Sequence, residues 1–564
     1  MQIRVFLASA ALAAVIAAPL AVAALAPARP TPAQVDRLLA ARIKHVFVIY
    51  QENRSFDNEF GTFPGANGVW SAQARAHGFR QVDPATHRSV TPFRITDPDV
   101  YYEGNGRHTQ LAAFNGSKMD NFVGAQGHSV LQYEKNATPA QRFSVGAESM
   151  SHLDCDTIPY LWAYAKHFAL FDDFYQALRA PSTPSNVEII AAQNGLTQYA
   201  RHPNDRASGE EDPGDPIFAD LDPAYGPYNP TDLPKEKQID QTYANVLLTM
   251  QRKNVNAVKK NAQDVREDES VIAKLNGAAI PWRWYEEGYG GDQHTGLIAH
   301  HLAPQYFGYV TQNRSMVSNM RDLMAFYREV SHGQLPARGV FYVKGGSHNV
   351  LGIHPANADP YVQKHYLGDD DHPGYTDSQI SQAHVASLVS TIVHSKYWKD
   401  SAIIITWDDE GGWWDHAPPR AFEMCPDGHP CGDGARVPAI VISPFAKQGA
   451  IVRDFNDQDS VLKFIETVFG LPALASLPDE KRYLPMGPRD GNTLISNLRG
   501  AFDYDRLSGA KAPLSPQPAF FSWKTIRTIP APLSCRSIGI RPATPPPGTS
   551  ESPPPGFNPR PFEH

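Results

Sequence analysis

An α/β architecture, with one sheet covered by helices on both faces, follows from three features of this sequence. Near-continuous apolar runs at residues 44–50, 402–407 and 437–442 have the length and β-branched content of strands buried on both sides. Segments with helical patterning, such as 385–397 and 460–469, alternate with them. Two of the runs end directly in polar, acidic clusters, Glu52-Asn53 and Asp408-Asp409. In open α/β sheets, ligands gather at those carboxyl ends of the strands.

Composition agrees with a large globular chain. Of 564 residues, 42% are hydrophobic and 20% charged, which excludes global disorder and a fibrous architecture. Lys+Arg of 51 against Asp+Glu of 59 leave a net charge of −8, so no field attracts a polyanion and nucleic acid is excluded as a partner.

From the amino end, Arg4 precedes an apolar run over 5–26 that closes in overlapping A-x-A sites, the better one being Ala21-Val22-Ala23. Residues 1–23 read as a secretory signal peptide and 24–43 as a leader, so the protein is expected to be exported, periplasmic or secreted. An uncleaved membrane anchor is the alternative. No Cys follows the run as a lipid acceptor, and no later stretch reaches the ~20 apolar residues of a membrane span. The first strand then runs into Glu52-Asn53-Arg54-Ser55. A helix is expected over 158–178 and another over 187–193, with Ala180-Pro181-Ser182-Thr183-Pro184 between them. Residues 196–280 read as an insertion, rich in Pro, Asp and Asn and then helical over 235–275. The catalytic region extends over 44–528. The tail from 529 to 564 holds eleven of the 49 prolines, a composition for extended or mobile chain. Of four cysteines, Cys425 and Cys431 bracket the turn-rich Pro-Asp-Gly-His-Pro and are expected to pair.

The usual signatures of serine esterases, zincins, P-loop enzymes and thioredoxins are absent from the sequence. What remains is a scatter of hard oxygen donors, histidines and one hydroxyl-rich turn. Glu52, Asn53, Asp408 and Asp409 offer three carboxylates and a carboxamide, a set suited to one divalent cation. The bland reading makes Asn53 or Ser55 a helix cap and Asp408-Asp409 an acidic turn before Gly411-Gly412. Ser182, just ahead of a helix, is either an N-cap or a hydroxyl placed to attack phosphorus where helix amides bind phosphoryl oxygens.

These residues carry a family resemblance. Glu52-Asn53-Arg54-Ser55-Phe56-Asp57, Met119-Asp120-Asn121-Phe122, Ile158-Pro159-Tyr160, Pro181-Ser182 with Asn186, and His300-His301 occur in order. His372-Pro373-Gly374-Tyr375, residues 403–412 with Asp415-His416, Arg436-Val437-Pro438-Ala439 and Ser460 follow. The set resembles the bacterial phosphoesterase family that contains phosphatidylcholine-type phospholipases C and respiratory-burst-inhibiting acid phosphatases, over roughly residues 44–505. Asp408-Asp409, where many members have Asp-Glu, resembles the acid phosphatase branch; Asp457-Gln458 departs from an Asp-His found in many members.

The resemblance implies an alkaline-phosphatase-like core, a central mixed β-sheet flanked by helices on both faces with insertions. It implies Ser182 as nucleophile, a metal held by Glu52, Asn53, Asp408 and Asp409, and His108, His300, His301 and His372 around the phosphoryl group. His354-Pro355 looks like His372-Pro373, but only the latter continues into Gly-Tyr and a helix. The expected function is an acid phosphatase acting on small phosphomonoesters through a phosphoserine, with a protonated His301 or His372 as leaving-group acid. Two rivals stand beside it. One is a phospholipase C that makes transient phospholipid contact and walls a choline group with Trp282, Trp284, Tyr285, Trp413 or Trp414. The other is an exported phosphate- or metal-binding protein without turnover.

Overall fold

A computed structural model describes residues 30–193, 217, 220, 270–290, 296–298, 301–307, 310, 313–425, 427–476 and 488–563. The expected signal peptide, most of the 196–280 insertion and His300 lie outside the described residues.

Eight strands form one mixed sheet: β1 (His45–Gln51), β2 (Ala169–Phe171), β3 (Trp282–Glu286), β4 (Met320–Asp322), β5 (Gly339–Lys344), β6 (Ser401–Trp407), β7 (Ala439–Ile442) and β8 (Ala450–Val452). Their spatial order is β8-β2-β7-β6-β1-β5-β3-β4. β1 lies between β5 and β6, parallel to both, and only β7 opposes its neighbours. Every side chain of β1, β5, β6 and β7 is buried, which is why these strands lack the alternation of a sheet with one wet face.

Helices supply the cover. Helix α1 (Pro32–Arg42) opens on a Thr31 capping box and packs with α8 (Asp459–Phe469), which also contacts α5 (Ser182–Ala191). A second group forms around α7 (Ser378–Val393), against which α4 (Pro159–His167) and α6 (Leu323–Ser331) pack. A smaller core, including Phe114, Phe122, Phe143 and Trp414, joins α3 (Arg107–Phe114) to the loop after β6.

Several expectations are corrected. The helix expected over 158–178 ends at His167, because Phe168 leaves helical geometry and 169–171 enters the sheet as β2 between β7 and β8. The helix expected from 187 begins at Ser182, and the one expected from 385 begins at Ser378, where the Asp377 side chain caps it. Trp282, Trp284, Tyr285, Trp413 and Trp414, named for a choline wall, are all buried in the cores, at most 2% exposed. The proline-rich tail is extended but pinned: Ala543 N donates to Thr62 O (2.7 Å), Trp70 Nε1 to Ala543 O (3.2 Å), and Phe557 packs on Phe93. Cys425 pairs with Cys431, as the spacing suggests, and Cys155 pairs with Cys535 across 380 positions, tying the tail to the catalytic region. Among the described residues no helix is long and apolar enough to cross a membrane.

Candidate active site

Parallel pairing brings the strand ends together. The register Gln51↔Trp407 sets Glu52 beside Asp408, whose amide donates to Gln51 O (3.0 Å). Just beyond β1 the chain turns sharply. Asn53 has φ 52°, and its amide donates to Asp408 Oδ1 (3.0 Å). The turn after β6 must let this backbone in close: a Cβ on Gly411 would sit 2.3 Å from Asn53 O, and φ there is +61°. The pair Gly411-Gly412 is therefore a steric requirement of the strand-end crossing.

Ser182 is the first residue of α5, whose N-cap position is Pro181 with no side-chain cap. Its hydroxyl does not cap the helix. Ser182 Oγ lies 3.1 Å from Asn53 Oδ1 and 3.0 Å from Asp409 Oδ2, two acceptors for its one proton. Asn105 Nδ2 donates to the same Asp409 Oδ2 (2.9 Å), and Gly411 N to Asp409 Oδ1 (2.7 Å). The helix start is fixed from behind by Asn186 Nδ2 to Ser182 O (2.8 Å) and by Gln110 Nε2 to Ala180 O (3.0 Å). Ser55, not Asn53, caps the short α2 (Phe56–Phe60), accepting from Asn58 N. The capping alternative thus holds for Ser55 and fails for Ser182 and Asn53.

Charge in this pocket is unbalanced. Glu52, Asn53, Asp408, Asp409 and Ser182 are at most 1% exposed. Burial first, then Asp408, pushes the Glu52 carboxyl well above its usual range, although Lys344 opposes the shift. Burial, Asp408 and Glu410 do the same to Asp409. Lys344, at the end of β5, ion-pairs with Glu52; burial would lower its pKa, but Glu52 and Asp408 outweigh that and leave it raised. His301 Nδ1 stands 3.1 Å from Glu52 Oε1. Asp408 Oδ2 is buried without a hydrogen-bond partner, as is Glu52 Oε2. Hard, buried, under-satisfied oxygens that repel one another fit a divalent cation. Two other groupings of metal-ligand types occur among the described residues: Asp57, Asp415 and His416, closed by Arg436, and Asp154, Asp156 and Cys535, whose sulfur is in the disulfide with Cys155.

The histidines divide. His372 is stacked between Tyr102 (centroids 5.4 Å apart, planes 3° apart) and Tyr375 (4.6 Å, 13°). Its Nδ1 lies 2.6 Å from Pro373 O, which selects the Nδ1–H tautomer for the neutral ring and leaves Nε2 as an acceptor. Burial pushes its pKa down to about 4. That direction favours the neutral ring, so of the two expected proton donors it favours His301 over His372. His301 lies against Glu52. His108 is exposed at the rim of a cavity of about 400 Å³, which Asn105, Pro181, Asp220, Tyr102 and Tyr133 also line. Gly374 permits the Tyr102 stack, since a Cβ there would come 2.9 Å from Tyr102 Cβ at φ +89°.

Asp370 ties this wall together. Its carbonyl accepts from Glu52 N (2.7 Å), and its carboxylate accepts from Tyr375 OH (2.8 Å) and Thr376 Oγ1 (2.9 Å). Sequence reasoning missed Asp370, Asn105, Tyr102 and Lys344. Of these only Lys344 carries a readable signal, since it ends an apolar strand just as Glu52 and Asp408 follow theirs.

The Phosphoesterase family profile matches residues 43–472 of the chain. A haemolytic phospholipase C of Pseudomonas aeruginosa is 23% identical over 76% of this chain and 53% of its own length. The chain thus spans about half of that relative. Phospholipase C A of Mycobacterium tuberculosis is 24% identical over 82% of this chain and 77% of its own length. Among solved structures, a protein of the alkaline phosphatase superfamily from Vibrio parahaemolyticus aligns with a TM-score of 0.31 at 9% identity, covering 83% of this chain and 79% of that one. A sulfatase from Pseudoalteromonas sp. aligns with a TM-score of 0.32 at 10% identity, covering 80% and 74%. With the profile spanning most of its length, the chain belongs to the Phosphoesterase family.

Proposed function

We propose that this family member is an exported phosphomonoesterase, an acid phosphatase that works through a phosphoserine on Ser182 at a site holding one divalent metal. The observation that carries the reading is the position of Ser182 Oγ, aimed away from its own helix and held between Asn53 Oδ1 and Asp409 Oδ2. Glu52, Asn53, Asp408 and Asp409 would hold the metal, which when bound supplies positive charge against phosphoryl oxygens and a hydroxyl-acidifying field. The chain's own residues do the rest. Ser182 Oγ gives up its proton, for which Asp409 Oδ2 is the acceptor in reach, and forms a bond to phosphorus as the bond to the leaving oxygen breaks. His301, beside Glu52, delivers a proton to the leaving alkoxide. Water then attacks phosphorus, the Oγ–P bond breaks, and the serine recovers its proton. The amides at the start of α5 face phosphoryl oxygens, as helix N-termini do in phosphate sites.

A second reading has its own support. Tyr102 and Tyr133, edge to face at 5.6 Å, line the cavity with Asp220, and aromatic faces beside a carboxylate suit a quaternary ammonium. Relatives named as phospholipases C point the same way, toward a phosphodiester carrying a choline group. Steady-state assays with 4-nitrophenyl phosphate and with 4-nitrophenylphosphorylcholine test both. A larger kcat/KM on the monoester, abolished in Ser182→Ala, supports the phosphatase; the reverse preference supports the diesterase. No hydrolysis of either would favour the binding protein without turnover.

A further inference from the structure

The far end of the proline-rich tail lies against two pieces of chain that also wall the site. On one piece, Tyr101 N donates to Pro559 O (3.0 Å), and the Phe562 ring packs on Tyr101 at 4.9 Å. Arg560 Nη1 donates to both the carbonyl (2.8 Å) and the carboxylate (2.7 Å) of Asp99. On the other piece, Tyr366 OH donates to Glu563, whose second carboxylate oxygen lies 3.0 Å from Arg560 Nε. The two pieces also bond to each other, Gly374 N to Val100 O (2.8 Å) and Ser378 N to Pro98 O (2.9 Å). They carry the facing rings of Tyr102 and His372.

We propose that Arg560 and Glu563 are positioning residues for the reaction: bridging Asp99 and Tyr366, they clamp the 97–102 segment to the 366–378 segment and so hold Tyr102 flat on His372. The clamp rests on the proposed function in taking His372 as part of the site. Its physical basis is burial. Asp99 is 1% exposed, and a buried carboxylate needs its cationic partner in fixed geometry, so Arg560 sets where residues 99–102 sit. A ring held on one face by Tyr375 and on the other by Tyr102 has one orientation, and displacement of about 1 Å in a catalytic group costs up to ~100-fold. The earlier part of the tail makes no such contact. Around residue 543 it touches Thr62 and Trp70, and Glu551 O accepts from Arg94 N (2.9 Å).

The test uses the full chain with its metal and four variants: Arg560→Ala, Arg560→Lys, Tyr366→Phe and, as control, Trp70→Phe, which loses the indole donor to Ala543 and some ring packing on Phe79 and His152, away from the two clamped segments. Two readouts are taken. One is kcat and KM on 4-nitrophenyl phosphate. The other is the His372 Cε1–H resonance in substrate-free protein, identified by its loss in His372→Asn and displaced by the flanking tyrosine rings. Arg560→Ala is expected to lower kcat about tenfold or more with KM within about twofold, and to move the His372 resonance. Arg560→Lys restores most of both, Tyr366→Phe gives a smaller change in the same direction, and Trp70→Phe leaves both as they were. An unmoved His372 resonance in Arg560→Ala, or in Tyr366→Phe if the former fails to fold, overturns the clamp. Because that signal is read without substrate, it decides the point even if Ser182 proves not to be the nucleophile.

Discussion

Two clusters of buried charge leave the same pair of strand ends and behave differently. Glu52-Asn53 and Asp408-Asp409 are the first residues after β1 and β6; Asp57 and Asp415-His416 lie a few positions further along the same connections. The second cluster is closed. Arg436 bonds Asp57 (3.1 Å) and Asp415 (2.8 Å), and His416 Nδ1 meets Asp57 Oδ2 at 2.6 Å. Burial would raise the Asp57 carboxyl, but His416 and Arg436 overcome it and leave the group below its ordinary range. In the first cluster Lys344 and His301 meet Glu52, and Asp408 repels both Glu52 and Asp409. Equal burial therefore does not mean equal purpose. A charge set that satisfies itself joins two loops, whereas one left in surplus suits the cation proposed for it.

Mutations should separate the two. In the closed cluster, Arg436→Met strands two buried carboxylates, and breaking a buried pair costs about 3–5 kcal/mol of stability. Thermal unfolding should show a Tm drop to match, with metal content unchanged in the protein that remains folded. In the open cluster, Asp408→Asn and Glu52→Gln should each weaken metal binding and lower turnover at least about a hundredfold, equivalent to ~2.7 kcal/mol of barrier. The Tm of Asp408→Asn without metal should hold or rise, because it removes a like charge beside Glu52 and Asp409, whereas Glu52→Gln also takes the buried partner from Lys344 and should lower it. Metal content and rate both unchanged in these variants would remove the distinction.

A smaller effect concerns pH. Burial, with Asp99 nearby, raises Asp377 to about 7. The folded state thus holds this proton more tightly than the unfolded chain, so the stabilisation is complete below about pH 4 and is lost as pH rises through 7, at ~1 kcal/mol per pH unit. Asp377→Asn keeps an N-cap for α7 and should flatten that loss. Unfolding measured at pH 5 and pH 7 checks it; equal slopes in the two proteins would exclude Asp377 as the cause.

Much of the contrast was legible in the sequence, for physical reasons. Strands buried on both faces announce themselves as apolar runs, so Glu52, Asn53, Asp408 and Asp409 stand out where those runs stop. Ser182 is readable only with the hydroxyl-rich turn and the family resemblance, since a hydroxyl before a helix usually caps it. Lys344 went unread because 339–344 was not recognised as a strand, although its pattern matches its neighbours. Asn105 and Tyr102 sit on irregular chain, where no periodicity points to a partner hundreds of residues away. The tail misled for a related reason. Proline content excludes helix and sheet but says nothing of long-range ties such as Cys155–Cys535 or Arg560–Asp99.

The central claim is that the open cluster prepares Ser182 for attack on phosphorus. Rapid acid quench after mixing enzyme with a ³²P-labelled monoester measures this directly. Label should appear on the peptide containing Ser182 in wild-type protein and disappear in Ser182→Ala, together with nearly all turnover and without loss of metal. An unlabelled wild-type enzyme, with a Ser182→Ala variant that still turns over, would contradict the account.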